Sequence, residues 1–309
     1  MKTGRIIGII AAALVLGVAA FLIYERQRTS KPQVVSCGTL EVYPDFESAF
    51  ITPRKVSVWL PEGYRVGESC DVLYMHDGQM LFDSTTTWNH QEWQVDEILS
   101  KLMDEKTVRR TIVVAIDNTS DRLKEYFPDE ACKGLDDVDA SELGGNNYLK
   151  FLVERLKPFI DEHYKPLTDR EHTFIMGSSM GGLISLYGLC EYPEVFGGAA
   201  CLSTHLSFAH LKAVRNTEAM ADGFLRYLAE HLPAANEARI YMDHGTEGID
   251  AAYGHYQERL DSLFYEREWD ICHFRSIVFE GHDHNETCWA KRLAEPISYL
   301  LGETETCAN

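Results

Sequence analysis

The first hydrophobic pattern in the chain is unbroken. Residues Ile6 to Tyr24 run for 19 positions without a charged side chain. At 1.5 Å per residue such a helix is about 28 Å long, close to the ~30 Å hydrocarbon thickness of a bilayer. Lys2 and Arg5 precede the run, and Glu25, Arg26, Arg28 and Lys31 follow it. The pattern predicts one N-terminal apolar helix that anchors the chain in a membrane. A removed signal segment is the rival reading, but the small residues Gly17 and Ala19 lie inside the run, with Phe21-Leu22-Ile23-Tyr24 still to come. Residues 1–33 are therefore read as anchor or signal segment plus linker, and residues 34–309 as a domain carried outside the cytoplasm, in the periplasm or at the cell surface.

Beyond Lys31 the pattern changes to short apolar runs that alternate with helical stripes. Lys55–Leu60 alternates with period two. Asp71–His76, Thr111–Ile116, Thr173–Met176, Gly198–Leu202, Ala238–Met242 and Phe274–Phe279 are apolar runs of strand length. Between them, Tyr148–Tyr164 places Leu149, Leu152, Val153, Leu156 and Ile160 on one 3.6-residue stripe. Leu183–Tyr192, Glu218–Leu232, Ala251–Arg267 and Cys288–Leu301 behave similarly. Apolar strands alternating with helices predict an α/β domain, with a mostly parallel sheet covered by helices on both faces.

Composition narrows the function classes. With 309 residues, 45% of them hydrophobic and 11% aromatic, the chain can bury a sizeable core. A disordered chain, a collagen-like repeat and a multi-span membrane protein are excluded. The formal charge of −19 counts against a nucleic-acid partner, whose phosphates require clustered Lys and Arg. Without residues 1–33 the balance is 24 positive against 47 negative side chains. Anionic lipid repels such a surface, so a membrane partner has to be reached through the apolar helix. Eight cysteines contain no C-x-x-C pair, which excludes a zinc ribbon or a thioredoxin-type motif. Cys190 and Cys201 read as small buried apolar residues; export permits disulfides, but spacing does not choose partners.

The chemistry centres on Thr173–Gly182, TFIMGSSMGG. This is G-x-S-x-G between an apolar strand and a helix, the setting that makes the motif a nucleophile elbow of the α/β-hydrolase fold. Glycine at 177 and 181 relieves backbone crowding around a strained turn. Ser179 is left exposed at a helix N-terminus, where the dipole favours developing negative charge. A serine nucleophile needs a base and an orienting acid, here in the chain order Ser, acid, His. His282 and His284 alone follow a late strand and precede a final helix. A metal-binding His-x-His pair is the alternative, but no third ligand of suitable spacing follows. The acid belongs after Ala238–Met242, where Asp243 completes the strand and Glu247 and Asp250 both remain candidates; Asp250 precedes a helix and has N-capping as its competing role. An oxyanion hole needs two backbone N–H groups. Met180 supplies one, and Gln79, in the His76-Asp77-Gly78-Gln79 turn after a strand, is the candidate for the other.

These residues bring a family into view. Leu73-Tyr74-Met75-His76-Asp77-Gly78-Gln79, Glu92-Trp93, Arg122 followed by Glu125-Tyr126-Phe127-Pro128, Leu156–Asp161, Gly177–Leu183, and His284-Asn285-Glu286 with Trp289 and Arg292 resemble the putative esterase family of α/β-hydrolases. Its members include esterase D-like, enterochelin esterase-like and feruloyl esterase-like enzymes. The resemblance implies that His284 rather than His282 is the base. It also implies a substrate-facing role for the Arg122–Pro128 loop, with Arg122, Glu125 and Tyr126; Asp77 and Trp93 are read as substrate-binding as well, although aromatic residues such as Trp93 and Tyr126 more often serve packing. It leaves Glu247 and Asp250 unsettled. The implied activity is a serine carboxylic-ester hydrolase acting on a small-molecule ester through an acyl-enzyme, with no metal or organic cofactor. Transfer of the acyl group to a sugar or alcohol is the second class, and a catalytically silent binding protein on the same fold is the third.

Overall fold

The computed structural model describes residues 31–235 and 237–302. The apolar helix expected over Ile6–Tyr24 lies outside the described residues. Among the described residues no helix is long and apolar enough to cross a membrane. The strands of the described residues run in chain order as β1 (Thr39–Phe46), β2 (Arg54–Leu60), β3 (Asp71–His76), β4 (Thr111–Ile116), β5 (Thr173–Ser178), β6 (Gly198–Leu202), β7 (Arg239–Gly245) and β8 (Phe274–Phe279). The main helices are α1 (Val95–Asp104), α2 (Gly145–Lys150), α3 (Lys157–Tyr164), α4 (Met180–Glu191), α5 (Thr217–His231), α6 (Gly254–Glu266), α7 (Glu286–Arg292) and α8 (Ala294–Leu301). A π-helical stretch, Phe151–Leu156, makes α2 and α3 one continuous rod, which the sequence stripe anticipates.

The strands form one sheet in the order β1-β2-β4-β3-β5-β6-β7-β8. β2 is antiparallel to both neighbours, and every pairing from β4 to β8 is parallel. Side chains along a strand alternate between faces, so a run apolar at every position needs cover on both sides. Val72 and Tyr74 of β3 join Leu149, Leu183, Met220 and Leu260 in one core. Leu73 and Met75 of the same strand join Leu99, Ile297 and Leu300 in the other. Thus α2 to α6 cover one face, and α1 and α8 the other. Cys190 and Cys201 are buried free thiols in the first core.

Two elements escape the sequence pattern. β1 is an edge strand whose positions are almost all exposed or half-buried, and Pro44 interrupts its apolar signal. α1 does carry an amphipathic stripe, with Val95, Leu99 and Leu102 buried. The chain reverses direction across the sheet at β3, which lies between β4 and β5. Loops leaving the carboxyl ends of β3 and β5 therefore diverge and open a crevice, the place where α/β sheets collect ligands.

Candidate active site

Ser179 stands at that crevice. β5 ends at Ser178, and Ser179 adopts φ 58° and ψ −121° before α4 begins. A non-glycine residue in such a region costs on the order of 1–3 kcal/mol. Backbone bonds on both sides hold it there: Ser179 N donates to Leu202 O at 2.9 Å, and His205 N donates to Ser179 O at 3.2 Å. A Cβ on Gly177 would lie 2.8–2.9 Å from the Gly181 backbone, so the glycine is needed for close approach. A Cβ on Gly181 would lie 3.3 Å from the His76 Cβ, which puts the start of α4 against the turn after β3. The N–H groups of the first turn of α4, Met180 included, have no acceptor within the helix.

The loops after β7 and β8 bring an imidazole and a carboxylate together. His284 Nδ1 lies 2.6 Å from Asp250 Oδ1. A carboxylate only accepts, so Nδ1 carries the proton and Nε2 is left with its lone pair. Asp250 is fully buried, and its second oxygen accepts from Gly245 N at 2.7 Å and from Ser203 Oγ at 2.6 Å. Burial pushes the Asp250 carboxyl up, but the bonds from His284, Ser203 and Gly245 outweigh it and hold the group below the usual carboxylate range. The edges of Tyr253 and Trp289 flank the imidazole, with ring centres 5.6 and 5.0 Å away.

The other candidates after β7 and β8 do different work. Glu247 is exposed, and its N–H donates to His282 O at 3.0 Å. His282 Nδ1 faces Arg292 Nη1 at 3.3 Å, whereas His284 Nδ1 faces Asp250, so the two histidines of the His-x-His pair turn to different partners. Asp250 makes no N-cap; a 3₁₀ turn starts at Asp250 itself while its side chain goes to His284. Asp243 ends in a buried network instead. Arg292 Nη2 donates to Asp243 Oδ1 at 2.9 Å and to Ser203 Oγ at 2.7 Å, and Trp289 Nε1 donates to Ser203 Oγ at 3.0 Å. Ser203 thus passes the order of the Arg292–Asp243 pair to Asp250. Reasoning from the sequence missed Ser203, although it follows the carboxyl end of β6, where α/β sheets concentrate site residues.

The turn after β3 is equally constrained. Asp77 has φ 57° and opens a single 3₁₀ turn, Gly78–Met80. A Cβ on Gly78 would lie 2.6 Å from Ile116 N. Met80 N closes the turn on Asp77 O at 2.9 Å, so the Gly78 and Gln79 N–H groups precede its first internal bond. Asp77 accepts two bonds from Arg122, at 2.7 and 2.8 Å, and one from Asn118 Nδ2 at 2.6 Å. These overcome the upward push of burial and leave its carboxyl below the usual range. A segment N-terminal to β1 braces the same turn, with Gln33 Nε2 donating to Gln79 O at 3.2 Å, and is itself held to α1, where Asp96 accepts from Ser36 N at 2.6 Å.

The sequence model of the family described as Putative esterase matches residues 48–299, which takes in every element of this site. The chain belongs to the Putative esterase family. As a member of it, the protein is an esterase. It is similar to the uncharacterized protein YjcH of Bacillus subtilis, with 24% identity over 266 residues that cover 85% of this chain and 98% of that one. Among solved structures, a ferulic acid esterase from Anaeromyces mucronatus superposes with a TM-score of 0.62 at 19% identity, covering 88% of this chain and 93% of its own. An enterobactin esterase from Shigella flexneri, solved in the presence of 2,3-dihydroxy-N-benzoylglycine, gives 0.60 at 18%, covering 87% of this chain and 60% of its own. At these identities the structural likeness is one of fold.

Three residues expected to face substrate in this esterase are buried in its framework. Trp93 is packed against Trp289, with ring centres 5.4 Å apart. Tyr126 lies wholly in the core beneath the Arg122 guanidinium. Glu125 forms a buried bidentate pair with Arg54, at 2.5 and 2.8 Å. Polar and aromatic residues in a motif-rich loop read as binding groups, but here they position the loop. Arg122 stays a quarter exposed, tied to Asp77 beside the Gln79 turn.

Proposed function

We propose that this esterase is a serine carboxylic-ester hydrolase in which Ser179, His284 and Asp250 form the catalytic triad. The observation that carries the reading is the 2.6 Å contact of His284 Nδ1 with the fully buried Asp250. It leaves Nε2 as the one basic nitrogen of a ring whose loop flanks the Ser179 elbow. In the first half-reaction Ser179 Oγ attacks the ester carbonyl while His284 Nε2 takes its proton and Asp250 stabilises the imidazolium. The N–H groups of Met180 and Gln79 receive the developing oxyanion. His284 then gives its proton to the departing alcohol, and water resolves the acyl-enzyme by the reverse sequence. Because a ferulic acid esterase shares the fold, esters of phenolic acids head the substrate class.

The same proposal places the protein outside the cytoplasm, held to a membrane by residues 6–24, with residues 34–309 as the esterase domain. The 19-residue uncharged run supports this.

A fluorophosphonate probe with intact-mass readout tests the triad. The wild type takes up one probe and hydrolyses p-nitrophenyl and feruloyl esters. Ser179→Ala loses both, His284→Ala loses turnover to a similar degree, and Ser178→Ala keeps most of each. Labelling that survives Ser179→Ala overturns the assignment.

A further inference from the structure

Tyr253 is a buried residue that the triad does not use. It lies one 3₁₀ turn after Asp250, with Tyr253 N bonded to Asp250 O at 2.9 Å. The turn that delivers the carboxylate to His284 therefore also delivers a phenol to the nucleophile. The Tyr253 ring stands edge-on to His284, with ring centres 5.6 Å apart, and its hydroxyl lies 2.7 Å from Nδ1 of His205, whose backbone N–H donates to Ser179 O at 3.2 Å; burial pushes the phenol up, and the nearby Ser179 side chain opposes this.

The direction of these bonds follows from His205. Its Nε2 is 3.0 Å from Ala209 O, and a carbonyl only accepts, so Nε2 carries the proton. Burial lowers the His205 pKa to about 4, and the ring is neutral near pH 7. A neutral imidazole protonated at Nε2 has a bare Nδ1. The Tyr253 O–H therefore donates to His205, and its oxygen turns a lone pair toward Ser179. The result is an acceptor, fixed in direction, beside the reacting oxygen and about one ring from the base.

We infer that Tyr253 is a further catalytic residue of the hydrolytic half-reaction, holding the attacking water by the proton that His284 does not take. The inference rests on the triad reading and deepens it. Ser179 and an alcohol each bring one O–H to the site, and His284 Nε2 suffices for it. Water brings two. As water attacks the acyl carbon, one proton passes to His284 Nε2 while the other stays on the attacking oxygen, bonded to Tyr253. When the tetrahedral intermediate collapses, the bond from carbon to Ser179 Oγ breaks, and the His284 proton returns to Ser179. The carboxylic acid leaves with the proton that Tyr253 had held. His205 acts as the positioning residue, through Tyr253.

The test is the partition of the acyl-enzyme in Tyr253→Phe. With a p-nitrophenyl ester the variant should show a burst of p-nitrophenol followed by a steady state about ten-fold slower, the size expected for loss of one hydrogen bond to a transition state. Fluorophosphonate labelling of Ser179 should keep near-wild-type speed. With added methanol, the ratio of methyl ester to free acid should rise by a similar factor. That ratio belongs to each acyl-enzyme molecule, so a partly unfolded preparation does not alter it. An unchanged ratio, or labelling and turnover that fall together, overturns the role of Tyr253. A wild type that shows neither labelling nor a burst overturns the triad reading instead.

Discussion

Asp250 and His284 are 34 positions apart in sequence and 2.6 Å apart in space, joined through the carboxyl ends of the neighbouring strands β7 and β8. Of the carboxylates on β7 and the loop after it, Asp250 meets the imidazole, Asp243 meets Arg292, and Glu247 is exposed.

That geometry separates two mutants. Asp250→Asn should lower kcat by about 10³–10⁴-fold, because an amide can present its N–H to Nδ1 and so favour the wrong tautomer of His284. Glu247→Gln should retain near-wild-type kcat, and both should keep a cooperative thermal transition. Steady-state kinetics with a p-nitrophenyl ester gives the answer; a Glu247→Gln variant as impaired as Asp250→Asn would contradict the geometry.

How much of this was legible beforehand depended on how local each feature is. The β5–turn–α4 elbow is written in ten consecutive residues, and five of the seven expected strands fall within a residue of those observed: β3, β4 and β6 are buried along their whole length, β2 shows period-two alternation, and β8 keeps a short apolar run at the sheet edge. β1 was not legible, since an edge strand has only one neighbour and few buried positions. The acid could not be chosen because Glu247 and Asp250 differ by three positions in one loop, and the 3₁₀ turn at Asp250 decides which side chain faces His284. Trp93, Glu125 and Tyr126 were misread because burial is set by distant partners, Trp289, Arg54 and the core, that no local pattern names.

The Glu125–Arg54 pair gives a test of that correction. Both side chains are nearly inaccessible, so Glu125→Gln leaves a guanidinium without its counter-charge in the core. Breaking such a pair costs about 3–5 kcal/mol. Urea denaturation should show a loss of that order, while KM for a small ester stays within about two-fold, since ±0.4 kcal/mol is a two-fold change in an equilibrium. A raised KM with unchanged stability would restore Glu125 to the substrate side.

Arg292 is the second buried charge whose removal should be costly. It serves Asp243, Ser203 and, at 3.8 Å, the Asp250 carboxylate. Burial already raises the Asp243 carboxyl to about 6 against the pull of Arg292. Arg292→Met should destabilise by about 3–5 kcal/mol. Arg292→Met with Asp243→Asn should be less destabilised than the single variant, because it no longer strands a buried charge. Additive losses in the double-mutant cycle would show that the two side chains are not coupled.

His76 makes a pH-dependent prediction. The ring is buried at the end of β3, with Nδ1 2.7 Å from the Tyr148 hydroxyl. Burial lowers its pKa to about 3; the charge of Asp77 opposes this and that of Arg122 assists it. The unfolded chain takes up this proton near pH 6.5. Between pH 6.5 and about 3 the unfolded state therefore binds the proton and the folded state does not, so stability falls as pH falls through that window. The slope is at most about 1.4 kcal/mol per pH unit for this one group. Raised carboxyls such as Asp117 and Asp243, each near 6, act with the opposite sign over part of the range, so the wild-type curve alone is a mixture. Subtracting the curve for His76→Gln, which keeps an acceptor for Tyr148 but cannot titrate, removes their contribution. The wild type should lose stability relative to this variant from pH 6.5 downward, and the difference should level off above pH 6.5. A difference that is flat with pH would mean that His76 is protonated in the folded protein, and that the turn carrying Asp77 and Gln79 tolerates a charge beneath it.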